Sequence, residues 1–342
     1  MPVRIAIIGA GSWGTALAQV LVAHGDRDVA LWVRRRALAA ELAETRRNGA
    51  YLPDLALDAR VRVTNDMALA LQDARIAIFA VPTHAMRQIA VEAAPRLVRD
   101  AAAVSAAKGF EESTDLTMTA VLGVALSRAG GGGVAALSGP NIAVEVAAGL
   151  PAATVVAGAD DVAAHVRDAC TGPQLRFYST TDVVGVEYAG ALKNVVAIAA
   201  GASDGIGAGD NGKAAIITRG IAEMARLGVA AGAEVTTFAG LAGLGDCVVT
   251  CMSPHSRNRN LGEAIARGAT LAEALGRTTM VTEGVNATRV ASRLASRFDV
   301  DMPITREVHA VLFEGKAVRD GLAELMNREP AQETHGLGRP VG

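Results

Sequence analysis

The sequence has almost no net charge with which to attract a polyanion. Its 33 lysines and arginines stand against 35 aspartates and glutamates, leaving −2, so no overall basic field points to nucleic acid or an anionic membrane surface, and any anion must be held locally. Cysteine is scarce too: Cys170, Cys247 and Cys251 are an odd number in a chain of 342 residues, which excludes a disulfide framework and fits a reducing compartment. No uninterrupted apolar stretch approaches the length of a membrane span, and the first apolar run, "VRIAIIG", leads into a glycine turn rather than a signal-peptide cleavage pattern. A cytoplasmic, globular protein is expected. There is no visible Ser, Cys or His nucleophile arrangement. Cys247, Cys251 and His255 stand at i, i+4 and i+8, but Pro254 interrupts a continuous helix and no fourth ligand follows, so no metal site is read.

What is present is a change of rhythm. The length favours two domains. Short β-type runs, "VRIAIIG", "DVALWV", "RIAIFAVP", "AAAVSAAKG", "VAALSGP", "AATVVAG" and "LRFYST", are separated mostly by helix-length amphipathic segments as far as residue 180. Beyond it the patterns are helical only. The expectation is an α/β fold: a Rossmann-type, doubly wound and largely parallel sheet over residues 1–180, followed by an all-α domain over residues 181–335. The glycines at 130–133 read as a loop tip, "GASDGIGAGDNG" as a mobile connection, and the tail after Asn327 as loosely ordered.

The segment "GAGSWG", residues 9–14, follows a strand and opens a helix. In that setting Gly9 permits the tight turn, Gly11 lets a pyrophosphate approach the backbone, and Gly14 lets helix pack on strand, while the free N–H groups of the helix start face the phosphates. A dinucleotide site specific for NAD places a carboxylate about twenty residues on. This chain instead ends its second strand with Arg34, Arg35 and Arg36. Guanidinium groups pair with a 2′-phosphate, so NADPH is favoured and NADH is also possible.

In "YAGALKNVVAIAAG", residues 188–201, an ammonium interrupts an apolar helix. Burying it unpaired costs several kcal/mol; it snorkels to water, or it has a partner and a use. Asp246 is a lone acid in glycine-rich surroundings, and Ser256, Arg257 and Asn258 offer consecutive hydroxyl, guanidinium and amide donors suited to a phosphate monoester. Lys108, Gly139 and Asn141 follow the C-terminal ends of candidate strands, where ligands of open α/β sheets bind.

Taken together with "YLP" at 51–53, "AAKGFE", "SGPNIAVEVA", "GDNGKAAIITRG", "AGLGDCVVTCMSPHSRNR" and "TEGVNAT", in this order, these motifs make the chain resemble the bacterial NAD(P)-dependent glycerol-3-phosphate dehydrogenases over nearly its whole length. The resemblance implies that Lys193 is the acid/base, assisted by Asp246 and Lys108. It implies that Lys108, Gly139, Asn141, Lys193, Asp246, Ser256, Arg257 and Asn258 line a glycerol phosphate site. For the cofactor it implies Ser12, Trp13, Arg34, Tyr51, Lys108, Ala143, Arg257, Val281 and Glu283 beside the glycine turn, and Arg35 joins them from the arginine run. Asn141 stands where bacterial members often carry Ser or Thr. Dihydroxyacetone phosphate and sn-glycerol 3-phosphate as substrates, phospholipid synthesis as the setting and a homodimer follow from the same resemblance. From the residues alone, two other readings stay open: a related reductase of another anionic ketone, and an NADP(H)-binding sensor without turnover, which leaves Lys193 and Asp246 unexplained.

Overall fold

The apolar runs of the first half pair into a single sheet. In the computed structural model, which describes residues 2–24, 27–127, 132–276, 280–330 and 332–333, these strands are β1 (Val3–Ile8), β2 (Arg27–Trp32), β5 (Arg62–Thr64), β6 (Ile76–Phe79), β7 (Ala102–Ser105), β8 (Val134–Ser138), β9 (Ala152–Ala157) and β10 (Leu175–Thr180). Strands β3 (Arg47–Asn48) and β4 (Leu52–Ala56) form a separate antiparallel hairpin. Sheet order is β10-β9-β8-β7-β6-β1-β2-β5. All neighbours run parallel except β8 and β9, which turns the last two strands against the rest. β1 lies between β2 and β6, so the order reverses there, and the crevice beyond the carboxyl ends of these strands is the topological switch point.

Strand period accounts for the two-sided core. Ile5 and Ile7 join one apolar cluster with Leu17, Leu21, Val29 and Leu31, while Ala6 and Ile8 join another with Trp32, Phe79 and Met86. Both faces of β1 are covered, as a parallel sheet requires. Three strands, β3, β4 and β5, carry no legible signal in the sequence, because two to five residues are too few to display a period. Gly130, Gly131 and most of the tail after Asn327 lie outside the described residues.

The chain divides into two units, Met1–Ala107 with Leu116–Val183, and Lys108–Asp115 with Val184–Gly342. The second is helical around Val183–Ile206. That helix is long and apolar enough to cross a membrane by length and composition, yet 83% of its most apolar window is buried within the protein; it is a core helix. The helix Arg257–Ala266 approaches it backbone to backbone: a Cβ on Gly201 would stand 1.8 Å from the Arg259 carbonyl oxygen, and one on Gly262 would stand 2.0 Å from that of Ile198. "GASDGIGAGDNG" is helical at both ends, with only Gly207 and Ala208 between Val183–Ile206 and Gly209–Ala230. Asp204 within it pairs with Lys213 and Arg259, both at 2.6 Å.

The early segment Lys108–Asp115 belongs to the helical unit through specific contacts. Phe110 meets Tyr188 edge to face at 5.3 Å, and Asn286 Nδ2 donates to the Phe110 carbonyl at 3.0 Å. Asp115, nearly buried, accepts from Arg293 at 2.6 Å and Arg297 at 2.8 Å.

Candidate active site

In the first unit, β1 ends at a turn that only glycine fits. Gly9 has φ +116°, and a Cβ there would stand 2.6 Å from the Ala80 carbonyl oxygen; a Cβ on Gly14 would stand 1.9 Å from the Gly9 oxygen. A Cβ on Gly11 would meet nothing within 4 Å. Gly9 and Gly14 are therefore required by the fold, whereas Gly11 leaves space for something outside it. The helix Ser12–Val22 starts at Gly11 with no side-chain cap, so its first N–H groups and dipole are presented to an anion.

The hairpin braces this turn. Asn48, buried, donates through Nδ2 to the Ala10 carbonyl at 3.0 Å and to Thr15 Oγ1 at 2.8 Å, and Ser12 Oγ donates to the Tyr51 carbonyl at 3.0 Å. Asn48 escapes sequence reasoning because its partners are 33 and 38 residues away. Arg34 and Arg35 follow β2 and are exposed, with the Arg35 guanidinium 5.9 Å from the centre of the Tyr51 ring. Trp13 is half-buried against the core, and Ala143 opens the short helix Ala143–Ala147. Gly139 follows β8 with φ +148°, and Asn141 Nδ2 donates to the Ala153 carbonyl of β9 at 2.9 Å, so Asn141 ties the antiparallel strand pair together.

In the second unit, the ammonium in the apolar helix has its partner. Lys193 is 6% exposed; its Nζ donates to Asp246 Oδ1 at 2.6 Å and to Thr250 Oγ1 at 2.7 Å. Lys108 Nζ donates to the other carboxylate oxygen, Oδ2, at 2.5 Å. One carboxylate, itself 2% exposed, thus holds two ammoniums. Burial works to raise the Asp246 pKa, but the Lys108 and Lys193 charges and hydrogen bonds prevail and hold it below the usual carboxylate range. Burial pushes Lys108 down to about 8, against the attraction of Asp246 and with the repulsion of Lys193. Thr250, not anticipated from sequence, sits one turn after Asp246 on Asp246–Met252 and shares its face; the i, i+4 spacing was the available signal.

The expected phosphate grip is more structural than its donor chemistry suggests. Ser256 caps Arg257–Ala266, its Oγ accepting the Arg259 N–H at 3.2 Å. Asn258 locks helices together: its Nδ2 donates to Asn194 Oδ1 at 2.8 Å and its Oδ1 accepts the Gly284 N–H at 3.0 Å. Arg257 is exposed and donates to the Val281 carbonyl; Glu283 opens the helix Glu283–Phe298. Ser256 and Asn258 hold Arg257 at the first turn of its helix. Asp246–Met252 ends before Pro254, and His255 lies outside it. Among the described residues no group of three His, Cys, Asp or Glu could hold a metal ion.

Two family models match the chain: the NAD-dependent glycerol-3-phosphate dehydrogenase N-terminus over residues 4–164 and the corresponding C-terminus over residues 182–323. A glycerol-3-phosphate dehydrogenase [NAD(P)+] of Geobacter metallireducens is 48% identical, covering 96% of this chain and 98% of that protein. One from Moorella thermoacetica is 46% identical, over 97% and 98%. The crystal structure of glycerol-3-phosphate dehydrogenase from Coxiella burnetii superposes with a TM-score of 0.89 at 34% identity, covering 96% of this chain and 99% of that one. A ketopantoate reductase from Ralstonia eutropha, at 17% identity and a TM-score of 0.57, is similar in fold alone.

Proposed function

The chain belongs to the NAD-dependent glycerol-3-phosphate dehydrogenase family, and on that premise we propose how its own residues carry the reaction. It is an NAD(P)-dependent oxidoreductase acting on glycerol 3-phosphate. The reaction is the reversible reduction of dihydroxyacetone phosphate to sn-glycerol 3-phosphate.

The glycine turn fits a dinucleotide: Gly11 leaves a cradle that a Cβ would fill, the helix start is uncapped, and β2 is followed by guanidiniums rather than a carboxylate. Gly9, Gly11, Ser12, Trp13 and Gly14 would hold the pyrophosphate, with Arg34 and Arg35 on the 2′-phosphate of NADPH and Tyr51 beside them. Ala143, Arg257, Val281 and Glu283 complete this set. When bound, the nicotinamide supplies or accepts the hydride.

The observation that carries the mechanism is the Asp246 carboxylate shared between Lys193 and Lys108. As the carbonyl oxygen gains charge it needs a proton and a nearby cation, and Lys193 provides both from Nζ. In the oxidative direction Lys193 takes the proton back. Asp246 orients that ammonium and keeps its burial tolerable, while Thr250 fixes a second of its three donors. Lys108 polarises the same oxygen. Gly139, Asn141, Ser256, Arg257 and Asn258 position the substrate, with Arg257 the charged partner of the phosphate. Binding energy from that remote group holds the reacting carbon in place. Synthesis of the glycerol phosphate of membrane lipids, a cytoplasmic location and a homodimer are the family's setting, and light scattering tests the assembly.

NADPH absorbance is expected to fall on adding dihydroxyacetone phosphate to the purified protein and to stay level with unphosphorylated dihydroxyacetone. Consumption with the unphosphorylated ketone alone, or with neither, would remove the phosphate-ester reading. Two glycines separate cofactor contact from folding. Gly14→Ala is expected to lower the melting temperature and abolish NADPH binding together. Gly11→Ala is expected to leave stability near wild type and weaken NADPH roughly tenfold or more, because its methyl enters only the ligand's space. Unchanged NADPH affinity in Gly11→Ala, read by fluorescence titration, would take the pyrophosphate away from this turn.

A further inference from the structure

Asp246 is approached through an unusual turn. Residues Leu241–Gly245 form a π-turn that runs directly into Asp246–Met252. Two successive N–H groups reach back with the wide spacing: Gly245 N–H donates to the Gly240 carbonyl at 3.1 Å, and the N–H of Asp246 itself is shared between the Gly243 and Leu241 carbonyls. Such turns are rare and poorly stabilised on their own, so something must hold this one open. The holder is Phe238, 1% exposed. Gly243 lies on its backbone, where a Cβ would stand 2.2 Å from the Phe238 carbonyl oxygen and 2.5 Å from its C and Cα; at the ring's other end, a Cβ on Gly228 would stand 2.2 Å from Cζ. Phe238 is thus wedged between Gly209–Ala230 and the π-turn.

We propose that this π-turn, seated through Gly243 on Phe238, is a positioning device that aims Asp246 and Thr250 at the two lysines. The proposal rests on the reading of Lys193 and Asp246 as acid/base machinery. Tightening the turn from i→i+5 to i→i+4 takes up one residue, about 100° of rotation on a helix. Asp246 must place one oxygen 2.6 Å from Lys193 and the other 2.5 Å from Lys108. Only a narrow range of directions satisfies both, and the winding of the preceding turn selects it. Gly243 and Phe238 touch no reacting atom; they act through Asp246.

The test uses the full chain. Gly243→Ala is expected to lower kcat about 100-fold, to leave NADPH affinity within twofold, and to shift the alkaline limb of the pH–rate profile as Lys108 loses its carboxylate. Gly123→Ala, on a helix of the other unit and with nothing within 4 Å of the added Cβ, is the control, with kcat within about threefold of wild type. Gly228→Ala presses first on the Phe238 ring, its Cβ 2.2 Å from Cζ, and is expected to lower kcat about tenfold, with Phe238→Leu in the same chain restoring most of it. A folded Gly243→Ala protein with wild-type kcat and pH profile overturns the proposal. Should Gly243→Ala fail to fold, the Gly228→Ala pair decides: wild-type kcat in Gly228→Ala, or no restoration by Phe238→Leu, overturns it. Full activity in Lys193→Ala and Asp246→Asn would instead remove the reading beneath it. Loss of activity in those two with none in Gly243→Ala would defeat the positioning role alone.

Discussion

Replacing Lys193 with alanine is expected to lower kcat for dihydroxyacetone phosphate reduction by about 10³-fold while NADPH affinity stays within about twofold of wild type. The asymmetry follows from where the side chain points. Its Nζ is held by Asp246 and Thr250, within the helical unit, whereas the glycine turn, Arg34 and Arg35, proposed for the pyrophosphate and the 2′-phosphate, belong to the other unit. The variant is also expected to fold, because Asp246 keeps Lys108 as a partner at 2.5 Å. The measurement is steady-state kinetics beside an NADPH titration and a melting curve. Wild-type turnover in a folded Lys193→Ala protein would take the proton transfer away from this residue.

Asp246→Asn makes a larger change than its near-identical shape implies. The amide cannot balance two ammoniums, and removing one partner of a buried ionic cluster costs about 3–5 kcal/mol. The pH dependence has a definite sign. Because the Asp246 pKa is depressed in the folded protein, its contribution is present above the ordinary carboxylate range and is lost as pH falls through the folded value. The stability difference between wild type and Asp246→Asn is therefore expected in full at pH near 7 and to shrink once pH falls below the ordinary carboxylate range, by chemical denaturation across pH. Activity carries a second signature. Lys108 stands at about 8 with Asp246 among the groups raising it, so without that charge the alkaline limb of the pH–rate profile moves to lower pH. The limb belongs to the cluster rather than to one lysine. An unshifted limb, with stability equal to wild type at neutral pH, would show that the carboxylate does not bind the two ammoniums together.

The glycine turn was legible because its logic is local. Gly9, Gly11 and Gly14 lie within six residues, and the strand before them and the helix after them are long enough to show a period. Lys193 was legible as an anomaly, an ammonium in an apolar helix that either snorkels to water or takes a partner; the structure shows the partner. Asp246, 53 residues on, was suggested by its isolation among glycines and by the family's motif. Nothing in the sequence showed that one carboxylate would divide its two oxygens between two lysines.

Other features had no local signature at all. Asn48 bracing the turn and Asn258 locking Asn194 to Gly284 emerge only when segments distant in the chain are brought together. The switch from alternating strands and helices to helices alone near residue 180, the glycine turn and the absence of a carboxylate after β2 are written in composition and short-range periodicity, whereas the roles of Lys193 and Asp246 came with the resemblance. Tertiary structure alone decided that Lys108 leaves the sheet to join the helical unit, that a π-turn aims Asp246, and which donors are spent on the fold. Those outcomes depend on non-local burial and on hydrogen bonds between segments 50 to 180 residues apart, where a donor's fate is set by whichever acceptor packing brings within 3 Å.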